Sequence, residues 1–266
     1  MINFFLKSIL PKNIKKFINK ILKRDIKIIG NYSSWLAAKN DSLGYDHKII
    51  FNKSKESFLK VINGVAKYER DSVPFYSDNV NYSLIKLLNS LQDKRKKTLN
   101  VLDFGGSFGS KYFQNLIFLK NQNKFNWFVV EQKHIVNYVK NFKLNKNLFF
   151  SPSIKNYLKK NIDIVLFSGV LQYLSNPLDH INLLLKKKIK YFLILRTPFQ
   201  TNKESIKVQV IPNHIYRATL PIRIFNENLF VKFFKENNYS LKNNSFKSEI
   251  VDNIEFKNFL FKLKEK

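Results

Sequence analysis

An α/β fold built on a doubly wound, mostly parallel sheet is what the sequence predicts, on three observations. Apolar runs of strand length alternate with amphipathic stretches from about residue 98 onward. The first run closes in VLDFGGSFG at 101–109, where an acid is followed by glycines spaced to turn a strand into a helix. A second run, WFVV at 127–130, ends in Glu131, 28 residues after Asp103, which puts an acid at the carboxyl end of the next parallel strand.

The elements follow in order. Residues 13–24 (NIKKFINKILKR) set Ile14, Phe17, Ile18, Ile21 and Leu22 on one helical face and Lys15, Lys16, Lys20, Lys23 and Arg24 mostly on the other. Such a basic amphipathic helix either docks on the main domain or adheres to an anionic inner leaflet, and the sequence leaves both open. Residues 30–97 read as a largely helical lead-in, with a helical stretch at 54–69 and a helix at 82–91. Strands at 99–104, 127–131, 147–150, 162–167 and 190–196 then alternate with helices near 109–121, 133–142, 153–160 and 178–187. An insertion at about 200–225 holds the short strand KVQVIP, and a helix at 226–237 follows it. Apolar-alternating runs at 239–247 and 254–263 close the chain as a hairpin. The expected architecture is a Rossmann-like, seven-stranded sheet with an antiparallel C-terminal hairpin and a helical N-terminal extension. It divides into a basic segment (1–29), a lead-in or cap (30–97) and the core (98–266).

Composition narrows the chemistry. With 266 residues the chain can bury the core of one α/β domain with appendages. It has no cysteine, which removes disulfides, thiolate metal sites and every Cys nucleophile. The opening MINFFLKSILPK is broken by Lys7, Pro11 and Lys12, so it reads as neither a signal peptide nor a membrane span. A cytoplasmic protein, peripheral on the inner membrane face if residues 1–24 adhere there, is the expectation. The formal charge of +28 attracts polyanions in general, yet only six of the 47 basic residues are Arg and the Lys travels with Asn, Ile and Phe throughout. That pattern is what an A/T-rich genome writes onto solvated faces, so a nucleic-acid partner is not expected.

An acid at the end of the second strand can accept both ribose hydroxyls of an adenosine. A nicotinamide-type loop reads G-x-G-x-x-G directly after the strand, whereas this one reads D-F-G-G-S-F-G. The acid inside the turn is unhelpful beside a pyrophosphate but suits the cationic amino or sulfonium group of S-adenosylmethionine. The loop is that of a class I methyltransferase, with Ser107 where the middle glycine is usual and Gly106 added before it. The cofactor residues expected on this reading are Asp103, Phe104, Gly105, Gly106, Ser107, Gly109 and Glu131, joined by Ser168 and Gly169 after the fourth strand. In the same loop, either Gln172 and Tyr173 of SGVLQYL face the acceptor or the segment is a tight turn with Tyr173 in the core, and the sequence leaves both open.

Methyl transfer from a sulfonium is an in-line displacement that needs alignment, exclusion of water and, for a hydroxyl acceptor, a base. His214, Tyr173 and His180 are the candidate bases, with Gln172 beside them; His180, after Asp179, also fits the start of a helix. Arg70, Arg217 and Arg223 are candidates to clamp a carboxylate or phosphate.

The runs GNYSSWLAA, GYD, YERDSV, VLDFGGSFG, WFVVEQ, SGVLQYL, LRTPF and VQVIP…IYRATLPIRIF, in that order, resemble a family of S-adenosylmethionine-dependent methyltransferases. Its genes recur among those for bacterial O-antigen, capsule and other surface polysaccharides. The resemblance spans roughly residues 28–264 and implies a class I fold and methylation of a sugar or sugar-linked group. It also implies that Asp103, Gly105, Gly109 and Glu131 carry the cofactor and that Arg70, Asp71, Gln172, Tyr173, His214 and Tyr216 lie at or near the acceptor. The basic N-terminus, outside the resemblance, and the Lys-rich surface extend the expected acceptor from a small saccharide to one carried on a lipid at the inner membrane face.

Two other readings compete. An RNA or DNA methyltransferase of the amino-directed kind carries an N/D-P-P-Y-like turn where this chain has SGVLQY, and the C5-directed kind needs a Cys. A non-catalytic module would bind the cofactor and transfer nothing. A metal-dependent glycosyltransferase lacks support, since no D-x-D pair occurs, and no residues show metal-ligand spacing.

Overall fold

The computed structural model describes residues 26–77, 82–95, 98–242 and 248–265. The basic segment 13–24 lies outside the described residues, as do the last five positions of the 239–247 run. The first strand, β1 (Lys27–Tyr32), crosses the boundary expected between the basic segment and the lead-in, and α1 (Trp35–Asn40) and α2 (Lys48–Ile62) follow it. The lead-in continues through the hairpin β2 (Tyr68–Arg70) and β3 (Val73–Phe75) to α3 (Tyr82–Arg95). The core alternates β4 (Leu99–Phe104), α4 (Ser110–Leu116), β5 (Phe125–Val130), α5 (Lys133–Val139), β6 (Leu148–Ser151), β7 (Ile164–Ser168), α6 (Pro177–Leu185) and β8 (Tyr191–Gln200). Then come β9 (Ser205–Ile211), β10 (Ala218–Asn226), α7 (Glu227–Glu236), β11 (Tyr239–Lys242), β12 (Glu249–Val251) and β13 (Ile254–Leu263).

Five parallel strands run side by side as β6-β5-β4-β7-β8. Antiparallel β13 pairs with β8, and β11 pairs with β13. Numbered along the chain, these seven strands lie in the order 3-2-1-4-5-7-6 with the seventh reversed. This is the Rossmann-like fold of class I methyltransferases. Both faces of the sheet are covered, as parallel strands require. Leu102, Phe104, Val165, Phe167 and Phe192 pack on one side with Ile181, Leu184, Phe230 and Phe234 from α6 and α7. The alternate residues Val101, Trp127, Val129, Leu166 and Leu193 pack on the other with Leu84 and Leu88 of α3 and Tyr112 of α4.

The sheet is larger than the seven strands expected. The ten-residue β8 outruns the five-residue β7, and the edge this leaves pairs with the end of β10 at Phe225–Phe199 and Asn226–Gln200. The antiparallel set β10-β9-β1 extends from there, so the insertion is a hairpin, and β1 closes its outer edge. With β12 added on β13, eleven strands share one sheet.

The lead-in is less helical than expected, since the end of β1 and all of β2 and β3 belong to it. The helix placed at 54–69 is α2, which stops earlier because Gly64 turns left-handed (φ +71°) and the N–H groups of Val65 and Ala66 both return to the Lys60 carbonyl at 2.9 Å. The helix placed at 153–160 is only a 3₁₀ turn, Ile154–Tyr157. Among the described residues, no helix is long and apolar enough to cross a membrane.

Candidate active site at the carboxyl ends of the strands

The turn leaving β4 is fixed by main-chain bonds. The Gly105 N–H donates to the Val130 carbonyl at 2.8 Å, and Gly105 takes φ +71°. A Cβ at this position would lie 2.3 Å from Val170 Cγ2, so only glycine fits between the turn and the loop after β7. Gly106 is needed for another reason: its Cβ would meet the Asp103 carboxylate at 2.8 Å. The Ser107 N–H donates to Glu131 Oε2 at 2.9 Å, and the Gln132 N–H donates to Oε1 at 2.8 Å. Burial raises the Glu131 pKa, and these two N–H groups oppose the rise. Gly109 (φ +88°) opens α4.

Asp103 lies beneath this turn and is only 1% exposed. Trp127 Nε1–H donates to its Oδ2 at 3.0 Å, while Oδ1 is buried with no hydrogen-bond partner. Burial pushes its carboxyl up to about 6, against the pull of Trp127 and Lys111. The Ser168 hydroxyl, at the end of β7, is likewise buried without a partner.

Two cavities open above these strand ends. One, of about 240 Å³, is lined by Phe104, Gly105, Glu131, Gln132, Pro152 and Val170 among others. The second, of about 70 Å³, is lined by Asp71, Gln172, Arg196, Gln209, Tyr216 and Glu249 among others. They share Tyr45, Gly169 and Tyr173. A roomier cavity of about 810 Å³ lies at the opposite end of the sheet, by Thr98, Asn100 and Asp163, where the strands begin. In open α/β sheets ligands bind beyond the carboxyl ends, so the smaller pair is the functional candidate.

The second chamber depends on the lead-in. Asp71 and Ser72 form the two-residue tip of the β2–β3 hairpin, both with positive φ (53° and 65°), as a tight hairpin turn demands. The Ser72 hydroxyl pairs with that of Ser54 at 2.7 Å, and the Ser57 hydroxyl donates to the Ser72 carbonyl at 2.7 Å, which ties the tip to α2. Arg196 is offset by a bulge in the β8–β13 ladder: its φ is +52°, and its N–H donates to Asn258 Oδ1 at 2.8 Å. From there the guanidinium donates to both Asp71 oxygens, at 2.6 and 3.4 Å. The Asp71 side chain is half exposed; the partial loss of water around its carboxylate would raise its pKa, but the Arg196 charge outweighs this and holds the carboxyl below its usual value. The Tyr173 hydroxyl donates to Gln209 Oε1 at 2.5 Å, and Gln172 Nε2 donates to the Arg196 carbonyl at 3.3 Å. Burial raises the phenols of Tyr173 and Tyr216 well above their ordinary value.

Two more ionisable groups lie behind the turn. Glu69, 3% exposed, accepts from the Ser110 hydroxyl and is pushed by burial up to about 7. Lys111 donates to Gln114 Oε1 at 2.9 Å, and burial lowers it to about 8.

Of the residues singled out in the sequence, Phe104, Gly105 and Glu131 line the larger chamber, Asp71, Gln172 and Tyr216 line the smaller one, and Gly169 and Tyr173 line both. His214 and Arg217 are exposed in the β9–β10 turn and line neither. The His180 ring packs on Phe104 at 4.8 Å in α6. Arg70 lies over the Phe75 ring at 5.0 Å, and Arg223 lies over Trp35 at 5.6 Å while bonding Glu204 and the Ser175 carbonyl. Tyr45, Arg196, Gln209 and Glu249 were not singled out. Arg196 carried a usable signal, since it ends the run at 190–196, where ligand-facing groups of a parallel strand sit. Among the described residues, no three His, Cys, Asp or Glu side chains are grouped to hold a metal ion.

No family model matches the chain, and no curated protein matches it in sequence. Among solved structures it is similar to the N-terminal domain of EvdMO1, crystallised in the presence of SAH and D-fucose (12% identity, 83% of this chain and 98% of that one, TM-score 0.48). It is also similar to an S-adenosylmethionine-dependent methyltransferase from Clostridium acetobutylicum (13% identity, 81% and 99%, TM-score 0.46). A third likeness is to SAM-bound CalS10, an amino pentose methyltransferase from Micromonospora echinaspora (6% identity, 69% and 91%, TM-score 0.45). All three are distant.

Proposed function

We propose that the protein transfers a methyl group from S-adenosylmethionine to a hydroxyl or amine of a sugar or sugar-linked acceptor, in the assembly of cell-surface polysaccharide. The observation that carries this reading is the pair of chambers meeting at Tyr45, Gly169 and Tyr173 over the carboxyl ends of the strands.

The larger chamber has the features an adenosine cofactor needs. A Cβ-free approach at Gly105, the apolar walls Phe104 and Val170, and the Glu131 carboxylate are all present. Two N–H bonds orient Glu131 and oppose the rise that burial gives its pKa, and its oxygens are the groups to take the ribose hydroxyls. When bound, S-adenosylmethionine supplies an electrophilic methyl group, and the chain's task is to orient the acceptor and exclude water.

The smaller chamber suits a ligand rich in hydrogen-bond donors better than an anion. Both terminal nitrogens of Arg196 are committed to Asp71 and its Nε lies 3.8 Å from the Glu249 carboxylate, so its charge is met on two sides; the unpartnered Gln172 Oε1, Gln209 and the phenols of Tyr45, Tyr173 and Tyr216 complete the polar lining. Asp71, held low, is a weak base and a good positioning group, and the phenols of Tyr173 and Tyr216 do not ionise near neutrality. Of the residues advanced as catalytic, Gln172 and Tyr173 fit this chamber, and the mechanism does not use the exposed His214. An amine acceptor fits most simply, because it needs no base in the transfer step.

The polysaccharide setting is supported by the resemblance of the motifs from GNYSSWLAA to IYRATLPIRIF. A lipid-linked acceptor at the inner membrane face is supported by the basic segment before residue 28, and vesicle co-sedimentation unchanged by deleting residues 1–27 would remove that part. The activity is tested by following label from S-adenosylmethionine into nucleotide sugars, lipid-linked glycans and RNA. Methylated glycan supports the proposal. Label in RNA overturns the acceptor class, and cofactor binding without transfer to anything favours a binding module.

A further inference from the structure

The GYD run at 44–46 carries Tyr45, a residue the methyl-transfer reading leaves without a task. Its position is unusual among the residues of the site: it lines both chambers, yet it comes from the loop between α1 and α2 in the lead-in. The ring lies 5.3 Å from that of Tyr173, at 30° between planes, and Tyr173 is itself held by its bond to Gln209. Glu131 of the larger chamber and Asp71 and Tyr216 of the smaller one line the same cavities as its ring, so groups from both chambers stand near it.

The backbone leading to Tyr45 is fastened. The Leu43 N–H donates to Thr219 Oγ1 at 3.0 Å, and the Gly44 N–H donates to the Thr219 carbonyl at 3.1 Å, which ties the loop to β10. Gly44 adopts φ +81°, and a Cβ there would lie 2.9 Å from Asp46 Oδ1, so the bend that delivers the ring depends on glycine. Despite this fastening, Tyr45 remains 37% exposed. A large aromatic left partly open at a junction of cavities is a surface for a ligand to cover, since an aromatic face packs well on planar rings and on the C–H faces of sugars.

We infer that Tyr45 is a ligand-contacting residue of the cofactor chamber and the partition between it and the acceptor chamber, so that filling the first orders the second. The inference rests on the methyltransferase reading of the two chambers. It makes the lead-in a working part of the site, with Tyr45 reaching from one side and Asp71 from another.

The test is calorimetric titration of S-adenosylhomocysteine into the wild-type chain, Tyr45→Phe and Tyr45→Ala, with amide hydrogen exchange on each. The expected result is binding weakened about tenfold by Tyr45→Ala and less than about twofold by Tyr45→Phe. Exchange should slow on binding at 43–47 and also at 209–216 in the wild type, with the second effect lost in Tyr45→Ala. If the wild type binds and Tyr45→Ala binds equally well, the inference is wrong while the methyltransferase reading stands. If the wild type does not bind, that reading fails first. Should Tyr45→Ala not fold, the wild-type exchange alone decides: slowing at 43–47 and 209–216 sustains the inference, and unchanged exchange at either segment overturns it.

Discussion

The Asp71 carboxylate and the Arg196 guanidinium meet at 2.6 Å although 125 residues separate them in the chain. One stands at the tip of a hairpin that precedes the core, the other at a bulge in the β8–β13 ladder. The contact joins the lead-in to the carboxyl end of the sheet and fixes the wall of the smaller chamber. Asp71→Asn and Arg196→Lys are each expected to lower methyl transfer at least tenfold while leaving cofactor binding within about threefold. Because the two side chains remain 53% and 25% exposed, their coupling in a double-mutant denaturation cycle should be only about 1 kcal/mol. A cycle that shows no coupling would mean the pair does not form in solution.

Gly105→Ala should abolish cofactor binding, because the new Cβ falls 2.3 Å from Val170 Cγ2. Adding Val170→Ala removes the atom it strikes and should restore part of the binding. The residual strain of an alanine at φ +71° should still cost about 1–2 kcal/mol in urea unfolding. Identical affinities for the single and double variants would contradict the steric account.

Asp103 and Glu69 give a pH dependence with a definite sign. Burial raises their carboxyls to about 6 and about 7 in the folded chain, so between pH ~4 and ~7 the folded state holds protons that the unfolded state has released. Stability is therefore expected to fall as pH rises through that window. Asp71, with its lowered value, works the other way: its contribution is present above pH ~4 and is lost as pH falls through its folded value. Thermal unfolding from pH 4 to 8, with Glu69→Gln and Asp103→Asn each flattening the slope, checks the assignment.

Trp127→Phe takes the one donor from Asp103 Oδ2 and leaves a buried carboxylate with both oxygens unpartnered. The expected loss is about 1–3 kcal/mol at pH 7, smaller at pH 5 where the acid is protonated. Equal losses at the two pH values would show that packing rather than the hydrogen bond is at stake.

Much of the core was legible because its signals are local. A strand such as Leu99–Phe104 carries its apolar alternation within six residues, and Gly105, Gly106 and Gly109 announce the turn that follows. The acid ending the next strand is equally short-range. The parts that escaped are long-range. Nothing in KIIGNY says that it will pair with β9, since that contact bridges the whole core and the strand contains Gly30. The fifth strand reads as 190–196 in the sequence, yet β8 runs to Gln200 because β13 on one side and β10 on the other hold its final residues. The smaller chamber was only half visible for the same reason. Gln172 and Tyr173 sit where any loop after a fourth strand would put them, whereas Tyr45, Arg196 and Gln209 come together only through the fold.

The central claim is that Glu131 and the glycine turn form an adenosine-cofactor site. Calorimetric titration of S-adenosylmethionine into the wild-type chain, Glu131→Gln and Glu131→Ala tests it most directly. Micromolar binding by the wild type, weakened at least tenfold in both variants, is the predicted result. A folded wild-type chain that binds no S-adenosylmethionine, or binding indifferent to both substitutions, would contradict it.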